Sequence, residues 1–272
     1  MRILIAINGS TAIDQVLQFS KQFMCCSSEP ATLLNVYNPG DDRPPPQNNT
    51  ISEQAAEIFE THCLQTKVRI GKTEEEILRE IKSGDYDLVI YGLRRFRRLA
   101  RIFRGSVAYH IIEQAPCSVM VVRGRLGPIR KILLCDSGAG ESRLLKQFTS
   151  LAANLLKGQE EITILHVMSQ ISAGPGVRGI QLRAEANELI QSDTPEGGLL
   201  ARDIQSLMES GLHSTPKIRH GLVVEEILSE ARSGDYDLVV IGYQHQKWQH
   251  YLLDDLTRQI IDQVDRPVWV IK

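Results

Sequence analysis

Residues 75–92, EEILREIKSGDYDLVIYG, return as residues 225–242, EEILSEARSGDYDLVVIG. The shared centre, SGDYDLV, runs without a mismatch from Ser83 to Val89 and again from Ser233 to Val239. Two further landmarks recur around it. RILIAINGS from Arg2 is echoed by KILLCDSG from Lys131, and APCSVMVV from Ala115 by RPVWVI from Arg266. A repeat of this period is a domain rather than a solenoid unit, because each copy is long enough to bury its own core. The chain therefore reads as two homologous domains, residues 1–124 and 129–272, with the segment RGRLGP from Arg123 to Pro128 between them. So short a tether predicts two copies packed as a pseudo-dimer.

Each copy alternates short apolar runs with amphipathic stretches. In the first copy the runs are residues 3–7, 32–37, 67–70, 88–91 and 118–122, and in the second 131–135, 163–167, 217–220, 238–241 and 268–271. Runs of Val, Ile and Leu almost unbroken by polar residues are the pattern of strands covered on both faces. Between them, residues 12–23 carry Ile13, Val16, Leu17 and Phe23 at helical spacing, and residues 74–82 carry Ile77, Leu78 and Ile81 likewise. The pattern predicts an α/β protein of two doubly wound, five-stranded parallel sheets. Gly84 and Gly234 follow helices where a left-handed cap residue is expected. The second copy holds about twenty more residues between its first and third strands, read as a lid, an extended helix or a plain loop insertion.

Composition narrows the function. A net charge of −2 excludes a wholesale polyanion binder and leaves room for a local basic patch. No apolar run approaches the ~20 residues of a membrane helix. The opening MRILIAINGS turns polar too soon for a signal peptide. The five cysteines are odd in number and lack metal-type spacing, which points to packing residues in a reducing cytoplasm. Neither a Walker lysine motif nor a nucleophile beside a base is present, so the chain reads as a binding protein, not an enzyme.

Ligands of doubly wound sheets sit beyond the carboxyl ends of the strands. In the first copy those ends supply Asn8, Gly9 and Ser10 after the first run, Val36 within the second, and Gly92, Arg94 and Arg95 after the fourth. Gly105 and Ser106 then open the next helical stretch. Glycines let backbone N–H groups approach phosphate oxygens, and a helix start adds its positive dipole end. Ser106 serves equally well as a plain N-cap. From Arg94 to Arg104 the chain carries six arginines in eleven residues, interleaved with Phe96, Leu99 and Phe103. Guanidinium forks suit phosphate, a basic amphipathic turn suits RNA or an anionic membrane, and a solvated loop with packed aromatics needs no ligand. Phosphate is favoured over nucleic acid.

Both copies resemble the universal stress protein family over essentially their whole length. That family's first strand ends in Asp-Gly-Ser. Its fourth leads into Gly, two residues, Gly, nine residues, Gly-Ser, a spacing that Gly92 and Gly105-Ser106 fit, and Ala115-Pro116-Cys117 precedes the final strand as it should. The resemblance implies a cleft for ATP or another adenine nucleotide, with Mg only as its companion, formed by Asn8, Val36, Gly92, Arg94, Arg95, Gly105 and Ser106. It also implies self-association through final strands, besides an unspecified protein partner. The first copy departs from the pattern at Asn8, which replaces the acid, and at Arg95, which replaces the middle glycine. The second keeps an acid, Asp136, and Gly242, but His245, Asp255 and Leu256 replace the rest, so it is expected to be a degenerate partner. The rival reading is a ligand-free scaffold whose arginine-rich loop docks an acidic protein, a membrane surface or RNA. Weak ATPase activity stands third, since no residue is placed to activate water.

Overall fold

The computed structural model describes residues 1–8, 13–24, 29–39, 48–59, 64–93, 105–136, 143–156, 158–168, 185–191, 194–243 and 250–272. They fall into two compact units: residues 1–128 with 265–270 and 272, and residues 129–264 with 271. Along the first half run β1 (Ile3–Asn8), α1 (Ile13–Lys21), β2 (Ala31–Tyr37), α2 (Asn48–Ile58), β3 (Leu64–Ile70), α3 (Thr73–Ser83), β4 (Leu88–Gly92), α4 (Gly105–Gln114) and β5 (Ser118–Val122). The second half has β6 (Lys131–Cys135), α5 (Arg143–Leu155), β7 (Glu161–Met168), α6 (Ala186–Gln191), α7 (Pro195–Glu209), β8 (Ser214–His220), α8 (Val223–Ser233), β9 (Leu238–Gly242), α9 (His250–Gln263) and β10 (Val268–Ile271). Every predicted strand is present. No helix among the described residues is long and apolar enough to cross a membrane.

The first unit's sheet has the order β3-β2-β1-β4-β5, all parallel. β10 is added antiparallel on β5, Val268 opposite Val121 and Val270 opposite Val119. β5 is thus paired with β4 on one edge and with β10 on the other. The second unit follows the same plan, β9-β6-β7-β8 in parallel. β4 and β5 are buried throughout and β1 nearly so, as double-faced apolar strands should be.

The repeated SGDYDLV stretch builds the entry into β4 and β9. Neither glycine is left-handed: Gly84 has φ −120° and Gly234 φ −89°, and the left-handed residues are Asp85 at 44° and Asp235 at 51°. Asp tolerates that conformation through its short polar side chain. Glycine is required for space instead, since a Cβ at position 84 would lie 2.2 Å from the Tyr86 ring and one at 234 would lie 2.1 Å from Tyr236. Asp87 then accepts the backbone N–H of Arg2 at 2.7 Å, and Asp237 those of Arg130 and Lys131 at 2.9 and 3.0 Å. These bonds fix the register of β4 on β1 and of β9 on β6.

The tyrosine hydroxyls point to one buried acid in each copy. Tyr86 donates to Glu80 at 2.8 Å, and Tyr236 to Glu230 at 2.7 Å. Lys67 and Arg69 of β3 close on Glu80, with Lys67 Nζ at 2.7 Å. Lys217 and Arg219 of β8 close on Glu230, with Lys217 Nζ at 2.8 Å. Burial alone would raise the Glu80 carboxyl, but the hydrogen bonds from Lys67 and Tyr86 and the charges of Lys67 and Arg69 outweigh it and hold it below its ordinary value.

Three variants of the first unit test this arrangement. Gly84→Ala should cost about 2 kcal/mol of stability in urea unfolding by overpacking against Tyr86. Gly127→Ala, which meets nothing within 4 Å, should change stability by less than ~0.5 kcal/mol. A depressed folded-state value means that the charge of Glu80 stabilises above the ordinary value of 4.5 and that this contribution disappears as pH falls below it. The stability gap between wild type and Glu80→Gln should accordingly be widest above pH ~5 and shrink toward pH ~3.

Candidate functional site

Strand order reverses between β1 and β4, because β1 connects to β2 on one side while β3 crosses over to β4 on the other. The carboxyl ends of these strands therefore part, leaving a crevice. Asn8 ends β1, half-buried, and its register partner on β2 is the fully buried Val36. Gly92 ends β4 in register with Val122 of β5, and the next N–H, that of Leu93, donates to the Val122 carbonyl at 2.9 Å. The topology brings the start of α4 to this same end, with Gly105 and Ser106 in its first turn. Asn8, Val36, Gly92, Gly105 and Ser106 thus share one end of the sheet. Arg94 and Arg95 lie outside the described residues, as does the rest of the arginine-rich stretch up to Arg104.

α3 and α4 meet beside this end. His110 Nδ1 of α4 stands 3.3 Å from Glu74 Oε2 in the first turn of α3. Burial, and secondarily the charge of Glu74, push the hydroxyl of Tyr91 in β4 well above the usual tyrosine range. It stays a neutral phenol at ordinary pH. Two strands over, beyond β1, Asn35 of β2 is fully buried and pairs in register with Ile7. Neither side-chain polar atom of Asn35 has a hydrogen-bond partner among the described residues.

In the second unit the register overturns one sequence reading. Ile3 stands opposite Leu88, and Ile132 opposite Leu238, the same residue of the repeat. Thr32 opposite Leu4 and Thr163 opposite Leu133 give the same offset, since each threonine bonds the repeat tyrosine. Asp136 is therefore the counterpart of Ile7, and Ser137 that of Asn8. KILLCDSG reaches its acid one residue sooner than RILIAINGS reaches Asn8, and consecutive strand residues face opposite sides of a sheet.

Asp136 is turned instead toward α7. It is 8% exposed and forms a hydrogen bond with Asp203, itself 2% exposed. Arg202 Nη2 reaches Asp203 Oδ1 at 3.3 Å from a side chain that is 45% exposed. Burial first, then the hydrogen bond and charge of Asp136, push Asp203 up to about 7, with partial relief from Arg202. α7 belongs to the enlarged connection between β7 and β8, which holds α6 and α7 where β2 and β3 are joined through α2. The helix is cleanly started: Pro195 is its first residue, and Thr194 Oγ1 accepts the Gly197 N–H at 3.1 Å. Sequence reasoning passed over Asp203. Its signal was there, because Leu200, Asp203 and Leu207 fall on one helical stripe and Asp is the polar member of an apolar face.

Removing an unsatisfied buried amide should stabilise. Asn35→Leu is expected to raise the first unit's stability by about 1 kcal/mol in urea unfolding, and a loss of stability would mean that the amide has a partner in the folded protein.

The profile of the universal stress protein family matches residues 1–123 and 128–272. A universal stress protein of Synechocystis sp. is 38% identical over 56 residues, a stretch covering 21% of this chain and 36% of that protein. The chain thus spans about a third of the length of the curated relative it matches. Among solved structures, a universal stress protein from Archaeoglobus fulgidus aligns over 99% of this chain and 98% of its own at 15% identity, with a TM-score of 0.62. A Pseudomonas aeruginosa structure described as a universal stress protein aligns over 100% and 92% at 15% identity, with a TM-score of 0.68. Those likenesses speak for the fold, and the profile, matched once by each half, speaks for descent: the chain belongs to the universal stress protein family, as a tandem member with two family domains.

Proposed function

We propose that the first unit binds an adenine nucleotide, ATP in particular, at the carboxyl ends of β1, β2 and β4, and that binding rather than turnover is its output. The observation that carries this reading is the reversal of strand order between β1 and β4, with Asn8 and Val36 side by side at one lip and Gly92 at the other. In this reading the Asn8 amide hydrogen-bonds the base–ribose end, and the Val36 segment lines it. Backbone N–H groups at Gly92, Gly105 and Ser106 take the phosphates, with Mg as the nucleotide's companion. Arg94 and Arg95 supply guanidinium forks where the family pattern has backbone alone. The protein acts in the cytoplasm as a regulator whose loaded first unit is read by a protein partner.

The second unit is the degenerate copy. Its counterpart of Asn8 is Ser137, and Asp254 and Asp255 bring carboxylates into the segment where a phosphate loop would stand. A second reading rests on the six arginines from Arg94 to Arg104, which suit docking to an acidic protein surface, a membrane or RNA without any nucleotide.

Calorimetric titration of the whole protein with Mg-ATP separates the two. One site per chain is expected, weakened at least ~10-fold by Asn8→Ala and by Arg95→Ala, a loss of about 1.4 kcal/mol each, and unchanged by Ser137→Ala. A wild-type protein that takes up no adenine nucleotide would leave the docking reading in its place.

A further inference from the structure

We infer that Asp136 and Asp203 form a proton-operated latch, which fastens helix α7 to the sheet of the second unit while the pair holds a proton and releases it when that proton leaves. A hydrogen bond between two carboxyl groups needs one proton, since two carboxylates offer only acceptors. Both groups are almost out of water, and they come from different parts of the chain, the residue just past β6 and the middle of α7. With the proton present the pair is a satisfied buried bond joining helix to sheet. Without it, two like charges face one another in a poorly solvated site, where repulsion is far stronger than in water.

Among the described residues, little stands by to neutralise the second charge. Arg202 is half-exposed, so its contact with Asp203 is screened by water. β6 adds the buried Cys135, a neutral thiol whose own ionisation burial suppresses. α7 packs on α5, α6, β7 and β8. The cations of β8, Lys217 and Arg219, are committed to Glu230. The remaining ionisable groups of those elements are Arg143 and Lys146 on α5, Glu188 on α6, Glu161 and His166 on β7, and His220 on β8. Among the described residues, the groups that act on Asp203 are Asp136 and Arg202.

The sign follows from the raised value of Asp203, about 7 against an ordinary 3.8. Between those limits the folded unit keeps a proton that the opened one gives up, so stability falls as pH rises and levels off above about 7. The latch is thus fully closed in acid and loosens toward neutrality, opposite in direction to the Glu80 cluster of the first unit.

Native-state hydrogen exchange on the full-length protein without ligand, between pH 4.5 and 8, tests this independently of nucleotide binding. After correction for intrinsic exchange, the opening equilibrium of the α7 amides should rise by close to tenfold per pH unit up to about pH 6.5 and flatten near 7.5. The α3 amides of the first unit should not share that rise. Asp203→Asn should abolish the slope, and Asp136→Asn should do the same should the first variant fail to fold. A flat wild-type profile overturns the latch, and so does a slope that survives in a folded variant.

Discussion

A buried glutamate, Glu80 in one copy and Glu230 in the other, holds the rest of each unit in place. It faces a lysine and an arginine two residues apart on an outer strand and a tyrosine at the mouth of a central one. One side chain thereby ties β3, α3 and β4 together, and its twin ties β8, α8 and β9. The lysine and arginine heads are drawn inward from β3 and β8, strands that pair on one side only among the described residues of their units. Such charges also discourage pairing with foreign strands, so the same ions serve packing and isolation. A buried acid is costly unless every lone pair is answered, and here the tyrosine hydroxyl completes the set.

This arrangement accounts for the part of the sequence that speaks loudest. At the centre of SGDYDLV four successive residues each answer a geometric demand: a turn without a Cβ at Gly84, a left-handed Asp85, a hydroxyl at Tyr86, and a register bond at Asp87. It lies at the amino ends of the strands, across the sheet from the crevice. The most visible signal therefore announces the fold and is silent about ligand. Strand positions were legible because burial on both faces leaves unbroken apolar runs such as LVIYG and SVMVV. Gly84 was misread as a conformational device because composition does not distinguish a glycine needed for φ from one needed for space.

The crevice was legible only in outline. Asn8, Val36 and Gly92 could be placed at strand ends by counting, since each closes or nearly closes an apolar run. Asp136 could not. Whether an acid after a strand corresponds to one position or the next depends on register, and register is set by distant bonds such as those of Asp237 to Arg130 and Lys131. A slip of one residue sends the side chain to the other face. The two copies have diverged at the residue that the sequence made look most alike: one keeps an amide at its crevice, and the other has an acid turned under helix α7.

The place of β10 bears on how the chain is made. The strand that pairs with β5 in the first unit is supplied by residues 268–270, which leave the ribosome about 145 positions after β5. At 5–20 residues per second that interval is on the order of ten seconds or more, during which β5 presents an unpaired edge. Each nascent chain in a polysome exposes the same edge, and neighbouring chains carry identical copies of it.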